Sequence, residues 1–570
     1  MPMQSRSSIE SAGAELVIGG GRTRAVPLLP LQWNPWTVAA TVLVLLLAIP
    51  ILVVVIGALS GGGETWRHLT STVLPEYIRN SLLLVIGVGA LTLLIGVATA
   101  WLVVATEFPG RRLFEWALIL PLSVPAYIAA YTYAGIFDAT GPMQRLLRVL
   151  VPGWSERIIY LDVMRFETVV VIFGLVLYPY VYLIARTSFL GQSRTALEAS
   201  RILGHGAWRT FSRVALPLAR PALAAGVTLV IMEVLNDYGA VAYYGIPTFT
   251  TGIFRSWLAL GDLSAAIRLA ACLMAVVFIV LGIERIMRRG ERVGKGSGTH
   301  RPLQRYELEG WKAGLAFIAC ITPLLLGFII PVAQLGYWAA ITAPKVVDGR
   351  FLRLTTNTFL LAAGAALTCI ILALLLAYAA RLSRTLYMNL VSRLAVLGYS
   401  IPGAVIAVGV LVTFGWFDRG VGGLIMDHTG ISVGLILSGT IIALVFAYAV
   451  RFLAVALLPI EAGFERQCRN LDEASRSLGV PPLATLRRVA LPLLRSTLLG
   501  ALILVFVDVL KEIPLTLVLR PFNFDTLATK AFQMAMDEQI AESANAALVV
   551  IATGIIPIVW LNNLLSDEKR

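Results

Sequence analysis

Long apolar runs separated by short polar stretches recur along the whole chain and set the first expectation. A helix rises about 1.5 Å per residue, so roughly 20 apolar residues in a row cross the roughly 30 Å of bilayer hydrocarbon. Twelve such runs can be marked, from Trp36–Leu59 to Ala544–Leu564, with Leu113–Phe137 third, Leu394–Phe417 ninth and Ser432–Val455 tenth. None alternates as a barrel strand would, and helices satisfy their own backbone groups in lipid. The expected fold class is an all-α polytopic membrane protein with about 12 transmembrane helices. The first run is longer than the apolar part of a cleaved leader and has no small-residue cleavage site after it, so it is expected to remain as a span.

Composition agrees, and charge then adds direction. Of 570 residues, 58% are apolar and only 14% charged, where globular proteins carry about 25% charged residues. A soluble multidomain enzyme, a disordered chain and a fibrous protein are excluded. The net charge of +13 invites nucleic acid, but its placement argues otherwise. With the N-terminus inside, the inside segments hold 30 Lys and Arg and the outside loops 13, the asymmetry that orients membrane proteins. Both termini are expected in the cytoplasm, with the lipid bilayer as partner and no nucleic acid. Asp138–Glu167 is the one basic outside segment; its four arginines are balanced by Asp138, Glu156, Asp162 and Glu167, and it reads as a lid or docking surface. The cysteines (272, 320, 369, 468) and histidines (68, 205, 300, 428) are scattered, without metal-ligand spacing. No metal centre or cofactor is expected in this chain.

A repeat reorganises the picture. Residues 198–218, EASRILGHGAWRTFSRVALPL, and 473–493, EASRSLGVPPLATLRRVALPL, agree at thirteen of twenty-one positions at an offset of 275. Weaker echoes pair Asn80 with Asn357, Pro125 with Pro402, Glu233 with Asp508 and Asp237 with Glu512. Six spans on each side make two homologous six-helix units related by an axis along the membrane normal, with a pathway between them. The division is a tail (1–35), a first unit (36–287, core 77–287), a polar Gly-rich tether (288–310) and a second unit (311–570, core 353–564). Within the tether, Gly290–Ser297 (GERVGKGS) falls short of a phosphate-binding loop in spacing and lacks the hydroxyl residue after its lysine. ATP is therefore expected elsewhere.

In each copy a short helix opens with Glu, Ala and Ser, breaks at Gly204 or Gly479, and continues as a basic helix into Leu216-Pro217 or Leu491-Pro492. Glycine allows the left-handed turn, and proline suits the first turn of the next span. The result is an L-shaped foot whose apolar Ile202, Leu203, Trp208, Leu478, Val480 and Leu483 call for a protein cover.

Both copies fit E-A-A-x3-G-x9-I-x-L-P, with Ser200 and Ser475 at the third position and Val214 and Val489 at the Ile. In this the chain resembles the permeases of binding-protein-dependent ABC importers. The resemblance implies that Glu198, Ala199, Ser200, Gly204, Leu216 and Pro217, with Glu473, Ala474, Ser475, Gly479, Leu491 and Pro492, couple to two copies of a cytoplasmic ATP-binding subunit. It also implies a periplasmic binding protein, a bacterial inner membrane, and a transport subunit that is no enzyme. The segment Pro121–Tyr133 and Asp138–Gln144 (DATGPMQ), within a fused twelve-span chain, look like the ferric-iron permeases; thiamine, polyamine, sulfate and phosphonate permeases are the alternatives.

Glu233 and Asp237, and again Asp508 and Glu512, lie four residues apart on one helical face. They sit roughly 20 to 30 Å along the helix from its Leu-Pro entry. Four carboxylates around a pseudo-twofold, with Tyr131 and Tyr133 as possible further oxygen ligands, suit a hard cation such as ferric iron. The other reading pairs one of them internally with Lys511 or Arg268. An ion-coupled secondary transporter is the rival class, but it has no use for two apolar feet. A membrane-embedded enzyme lacks any recognisable catalytic grouping.

Overall fold

Proline fixes where the apolar runs cease to be single rods. Pro125 has no N–H, and its ring disfavours helix at the residue before it. Val124 is extended (φ −90°, ψ 110°), and the third predicted span is two limbs, Arg111–Ser123 and Ala126–Leu150, at 88° to each other. Pro402 does the same to Ile401 (φ −92°, ψ 129°), so the ninth span is corrected to Leu386–Ser400 followed by Gly403–Thr429. The tenth begins at Ile441 rather than Ser432. Asp418 accepts hydrogen bonds from the N–H groups of Leu437 and Ser438 at 2.9 and 2.8 Å, and Gly439 is left-handed (φ 72°). These hold residues before Thr440 in a loop, and Thr440 caps the helix.

The structure, a computed structural model, describes every residue except 1–33, 61–62, 151–161, 193–199, 201, 205, 288–304, 384, 433, 468–469 and 568–570. Nearly all of the predicted tail, most of the tether, and part of the Asp138–Glu167 segment lie outside the described residues. Among those described, eleven helices are long and apolar enough to cross a bilayer, and the bent pair makes a twelfth. In chain order they are α1 (Pro35–Leu59), α2 (Leu74–Ala105), α3 (Ala126–Phe137, in the second limb of the bent pair), α4 (Phe166–Gly191), α5 (Leu216–Asn236) and α6 (Leu263–Met287). The second half supplies α7 (Trp311–Val346), α8 (Gly349–Leu382), α9 (Gly403–Thr429), α10 (Ile441–Arg466), α11 (Leu491–Lys511) and α12 (Ile540–Asp567).

A shared device admits proline at two span entries and in the middle of α7. Pro217, Pro331 and Pro492 each follow a five-residue π-helical turn: Phe211–Ala215, Leu325–Ile329 and Leu486–Ala490. A proline ring clashes with the carbonyl four residues earlier; widening that turn moves the carbonyl aside without ending the helix.

The two halves complete each other's cores. Helix α1 packs on α8, α9 and Leu386–Ser400 of the second half as well as on α6, while α7 lies on α12 and reaches α2, α3 and α4. One buried apolar cluster joins Ala40 and Val54 of α1 to Ala366 of α8 and Leu453 of α10. The other joins Val88 of α2 and Val181 of α4 to Leu335 of α7 and Val550 of α12. Lipid is as apolar as leucine, so such helices associate through close packing. A Cβ at Gly409 of α9 would overlap the Pro50 carbonyl oxygen of α1, so the crossing needs glycine there. A two-residue parallel bridge, Thr106–Glu107 with Tyr306–Glu307, and a 2.9 Å bond from Asn34 Nδ2 to Ser383 Oγ fasten the exchange. The boundaries at 36–287 and 311–570 follow the sequence repeat; packing crosses them.

Candidate functional site

The second foot is described nearly completely. The helix Asn470–Ser477 carries Asp472 and Glu473 in its first turn, where unpaired N–H groups favour negative charge. It ends at Gly479 (φ 73°), as the first foot does at Gly204 (φ 78°). Val480 N–H returns to the Ser475 carbonyl at 3.1 Å, and Leu478 N–H to that of Ala474 at 3.1 Å. Across the turn Ser475 Oγ meets Thr485 Oγ1 at 2.6 Å, and Ser200 Oγ meets Thr210 Oγ1 at 3.1 Å, all four residues being buried. Arg381 of α8 donates to Asp472 Oδ2 and to the Phe464 carbonyl, each at 2.5 Å, and Tyr378 to the Pro482 carbonyl at 2.7 Å. The second foot is thus pinned to α8, whose Arg381 also holds the end of α10, and continues through Leu491-Pro492 into α11, as Leu216-Pro217 begins α5.

The expected apolar residues do point outward. Ile202, Leu203, Trp208 and Leu478 are 86, 74, 75 and 80% exposed; Leu483 is exposed and Val480 half-buried. Glu473 and Ala474 are exposed beside them. Glu198 and Ala199 lie outside the described residues.

The far ends of α5 and α11 build the second part of the site. Glu233 and Asp508 lie in the last turns, and Asp237 and Glu512 follow as their C-caps. All four carboxylates border one cavity of about 140 Å³ between the halves, together with Arg451 and Lys511. Arg451 Nε stands 3.4 Å from Glu512 Oε2, and its Nη1 donates to the Ile401 carbonyl at 3.0 Å. Lys511 Nζ donates to the Leu122 carbonyl at 3.3 Å. Asp237 Oδ1 accepts from Ala240 N–H at 2.9 Å, and Glu512 Oε1 from Leu515 N–H at 3.2 Å. Such charges persist away from water only when paired and hydrogen-bonded.

One step of the repeat is especially informative. Asn236 and Lys511 stand at equivalent positions, 275 residues apart. Asn236 Oδ1 accepts from Gly403 N–H of the second half at 2.7 Å, while Lys511 reaches Leu122 of the first. Each ties its helix end to the proline-broken span of the opposite half.

The structure therefore gathers the four predicted carboxylates and Lys511, and separates the rest. Arg268 donates to the Ser60 carbonyl at 2.7 Å and lies over the Trp66 ring, at a distance from this cavity's lining. Tyr133 donates to the Leu326 carbonyl, and Tyr131 packs against Tyr127 and Tyr243; neither borders the cavity, whereas Tyr127, Tyr180 and Tyr399 do. Among the described residues no three His, Cys, Asp or Glu side chains are grouped to hold a metal ion. The lining is one of mixed charge. Arg451 was missed because a span ending at Val455 makes it a helix-end residue; with α10 at Ile441–Arg466 it is central. A single arginine inside so apolar a run was the available signal.

Comparison with known proteins agrees with the repeat. The family described as binding-protein-dependent transport system inner membrane component matches twice, at residues 92–293 and 369–570. The chain is 27% identical to the Fe(3+)-transport system permease protein FbpB 2 of Haemophilus influenzae, over 86% of this chain and 90% of that one. It is 26% identical to the sulfate transport system permease protein CysW of Escherichia coli over 37% of this chain and 72% of the relative. The molybdenum transport system permease protein ModB of Escherichia coli is 28% identical over 39% of this chain and 98% of the relative. With its two matching regions, its membrane-spanning helices and its duplicated feet, the chain belongs to the binding-protein-dependent transport system inner membrane components, the multi-pass permease subunits of such transporters.

Proposed function

We propose that this subunit passes ferric iron, delivered by a periplasmic binding protein, into the cytoplasm by alternating access driven by a separate ATPase dimer. The observation that carries the cargo is similarity along nearly the whole length of an Fe(3+)-transport system permease protein. Four carboxylates against two cations around the cavity are compatible with a positively charged solute. Both termini and both feet face the cytoplasm in this reading, where each foot seats one ATP-binding subunit through its exposed apolar residues. The permease binds no nucleotide itself.

The geometry supports a mechanical linkage from foot to cavity. Closure of the ATPase dimer moves the feet; the Ser475–Thr485 and Arg381–Asp472 contacts make the second foot stiff enough to move as one piece. That motion enters α11 at Pro492, and its other end, about 30 Å away, carries Lys511 and Glu512 between the halves. Residues 36–287 and 311–570 act as the two repeat units, with α1 and α7 strapping them together.

An anion such as sulfate or molybdate is the second reading, favoured by Arg451 and Lys511 in the cavity wall and by the sulfate and molybdenum permeases among the relatives. Proteoliposomes holding the permease, its ATPase and the loaded binding protein distinguish them. Accumulation of radioactive iron, with none of sulfate or molybdate, is expected; the reverse pattern overturns the iron reading.

A further inference from the structure

The tie made by Asn236 shows that holding a helix end to the opposite half needs only a neutral polar group. At the equivalent position Lys511 makes the same kind of tie and adds a full charge. That charge is surplus to the tie. It stands in a cavity whose described wall holds four carboxylates, Glu233 and Asp508 among them, and one other cation, Arg451.

The two cations are held differently. Arg451 is fixed three ways: by Glu512, by the Ile401 carbonyl, and by its place over the Phe452 ring, 5.5 Å from the centroid. Its planar, rigid fork suits a fixed post. Lys511 is held by a hydrogen bond to a carbonyl of the other half at 3.3 Å, on a flexible four-carbon stem. Carboxylates at this depth that stay ionised need a countercharge, including at the stage before cargo arrives.

We propose that Lys511 is a displaceable counter-cation: its ammonium neutralises Glu233 and Asp508 while the pathway is empty and withdraws when a cationic cargo takes its place. This deepens the cationic-cargo reading above and rests on it. Arg451 stays in place and keeps Glu512 neutralised. Because Lys511 also touches Leu122, its withdrawal loosens the contact between the halves at the moment cargo enters. Cargo charge and bundle separation are thereby linked through one side chain.

The test uses the purified complex with its ATPase and Tb3+, a hard trivalent oxygen-seeking probe. Tyr127, Tyr180 and Tyr399 on the same cavity wall serve as the ultraviolet antenna for its luminescence. Lys511→Met and Lys511→Gln are expected to tighten the Tb3+ midpoint about tenfold, because the competing charge is gone. Gln retains a donor for Leu122, which separates charge from tie. Lys511→Arg is expected to remain near the native midpoint, and adding Glu233→Gln with Asp508→Asn to Lys511→Met should abolish the gain. An unchanged midpoint in an assembled Lys511→Gln complex overturns the proposal. So does failure of both neutral variants to assemble while Lys511→Arg assembles, since the charge is then a fixed structural one. Iron uptake by the native complex is scored separately. Uptake without the Tb3+ shift removes the role of Lys511 and leaves the cargo; the shift without uptake leaves the role and removes iron.

Discussion

Ser475 Oγ lies 2.6 Å from Thr485 Oγ1 across the turn of the second foot, both residues being buried, and the same pair recurs in the first foot as Ser200 and Thr210. Two hydroxyls that satisfy each other away from water form a brace between the short helix and the span entry. Removing one of them leaves the other without its best partner, which costs about 1–3 kcal/mol, whereas removing both is nearly neutral.

Thr485→Val is therefore expected to destabilise the foot more than the double variant Ser475→Ala with Thr485→Val. Heat-inactivation midpoints of the purified complex rank the variants, and cargo-stimulated ATP hydrolysis reports the linkage. Equal losses in the single and double variants would remove the brace.

Two glycines should respond differently. Gly479 has φ 73°, and a Cβ added there would meet nothing within 4 Å, so Gly479→Ala meets only backbone strain of about 1–2 kcal/mol. Gly398 is helical, but a Cβ there would overlap the Val450 carbonyl oxygen, where backbone has to move. Gly479→Ala should assemble and transport several-fold more slowly, with Gly479→Asn milder because asparagine tolerates the left-handed region. Gly398→Ala should lose assembly, measured as the yield of permease that retains its ATPase.

The feet were legible because their information is local: a helix start, a glycine, and a Leu-Pro entry within twenty-one residues, written twice. The four carboxylates were legible for the same reason, as charges at a fixed spacing in apolar runs. Breaks at Pro125 and Pro402 were hidden by apolar residues on both sides, since lipid and protein core ask for the same residue types. The exchange of α1 and α7 between halves was not legible at all. A helix facing lipid on one side and protein on the other shows no polar face to mark its partner, and Asn34 with Ser383 carries no pattern across so long a separation.

Arg451 and Glu512 test the fixed part of the cavity. Both are buried, and their pairing at 3.4 Å is joined by a bond to the Ile401 carbonyl. Arg451→Met strands Glu512 in a poorly solvated site, an expected cost of about 3–5 kcal/mol. Arg451→Met with Glu512→Gln should recover much of that, because the carboxylate that Arg451 pairs is neutralised along with it. Recovery is read as monodisperse complex after mild heating; a double variant no better than Arg451→Met would show that the arginine acts through something other than this carboxylate.

The last prediction concerns which side of the membrane the feet face, and what covers them. Among the described residues, Leu478 and Ile202 are two of the most exposed apolar side chains, at the tips of the two feet, so a cysteine at either position should react readily with a thiol reagent that cannot cross lipid. Cys320 and Cys369 are buried and Cys272 is half-buried; Cys468 neighbours the second foot in sequence and is first replaced by serine. Leu478→Cys and Ile202→Cys are expected to label in inside-out vesicles stripped of the ATPase and to remain unlabelled in right-side-out vesicles. Restoring the ATPase should suppress labelling at both tips together, because the repeat gives each foot the same seat. Protection of only one tip would limit the motor to one half of the permease, and labelling from the periplasmic side would place the feet where no ATP is available to move them.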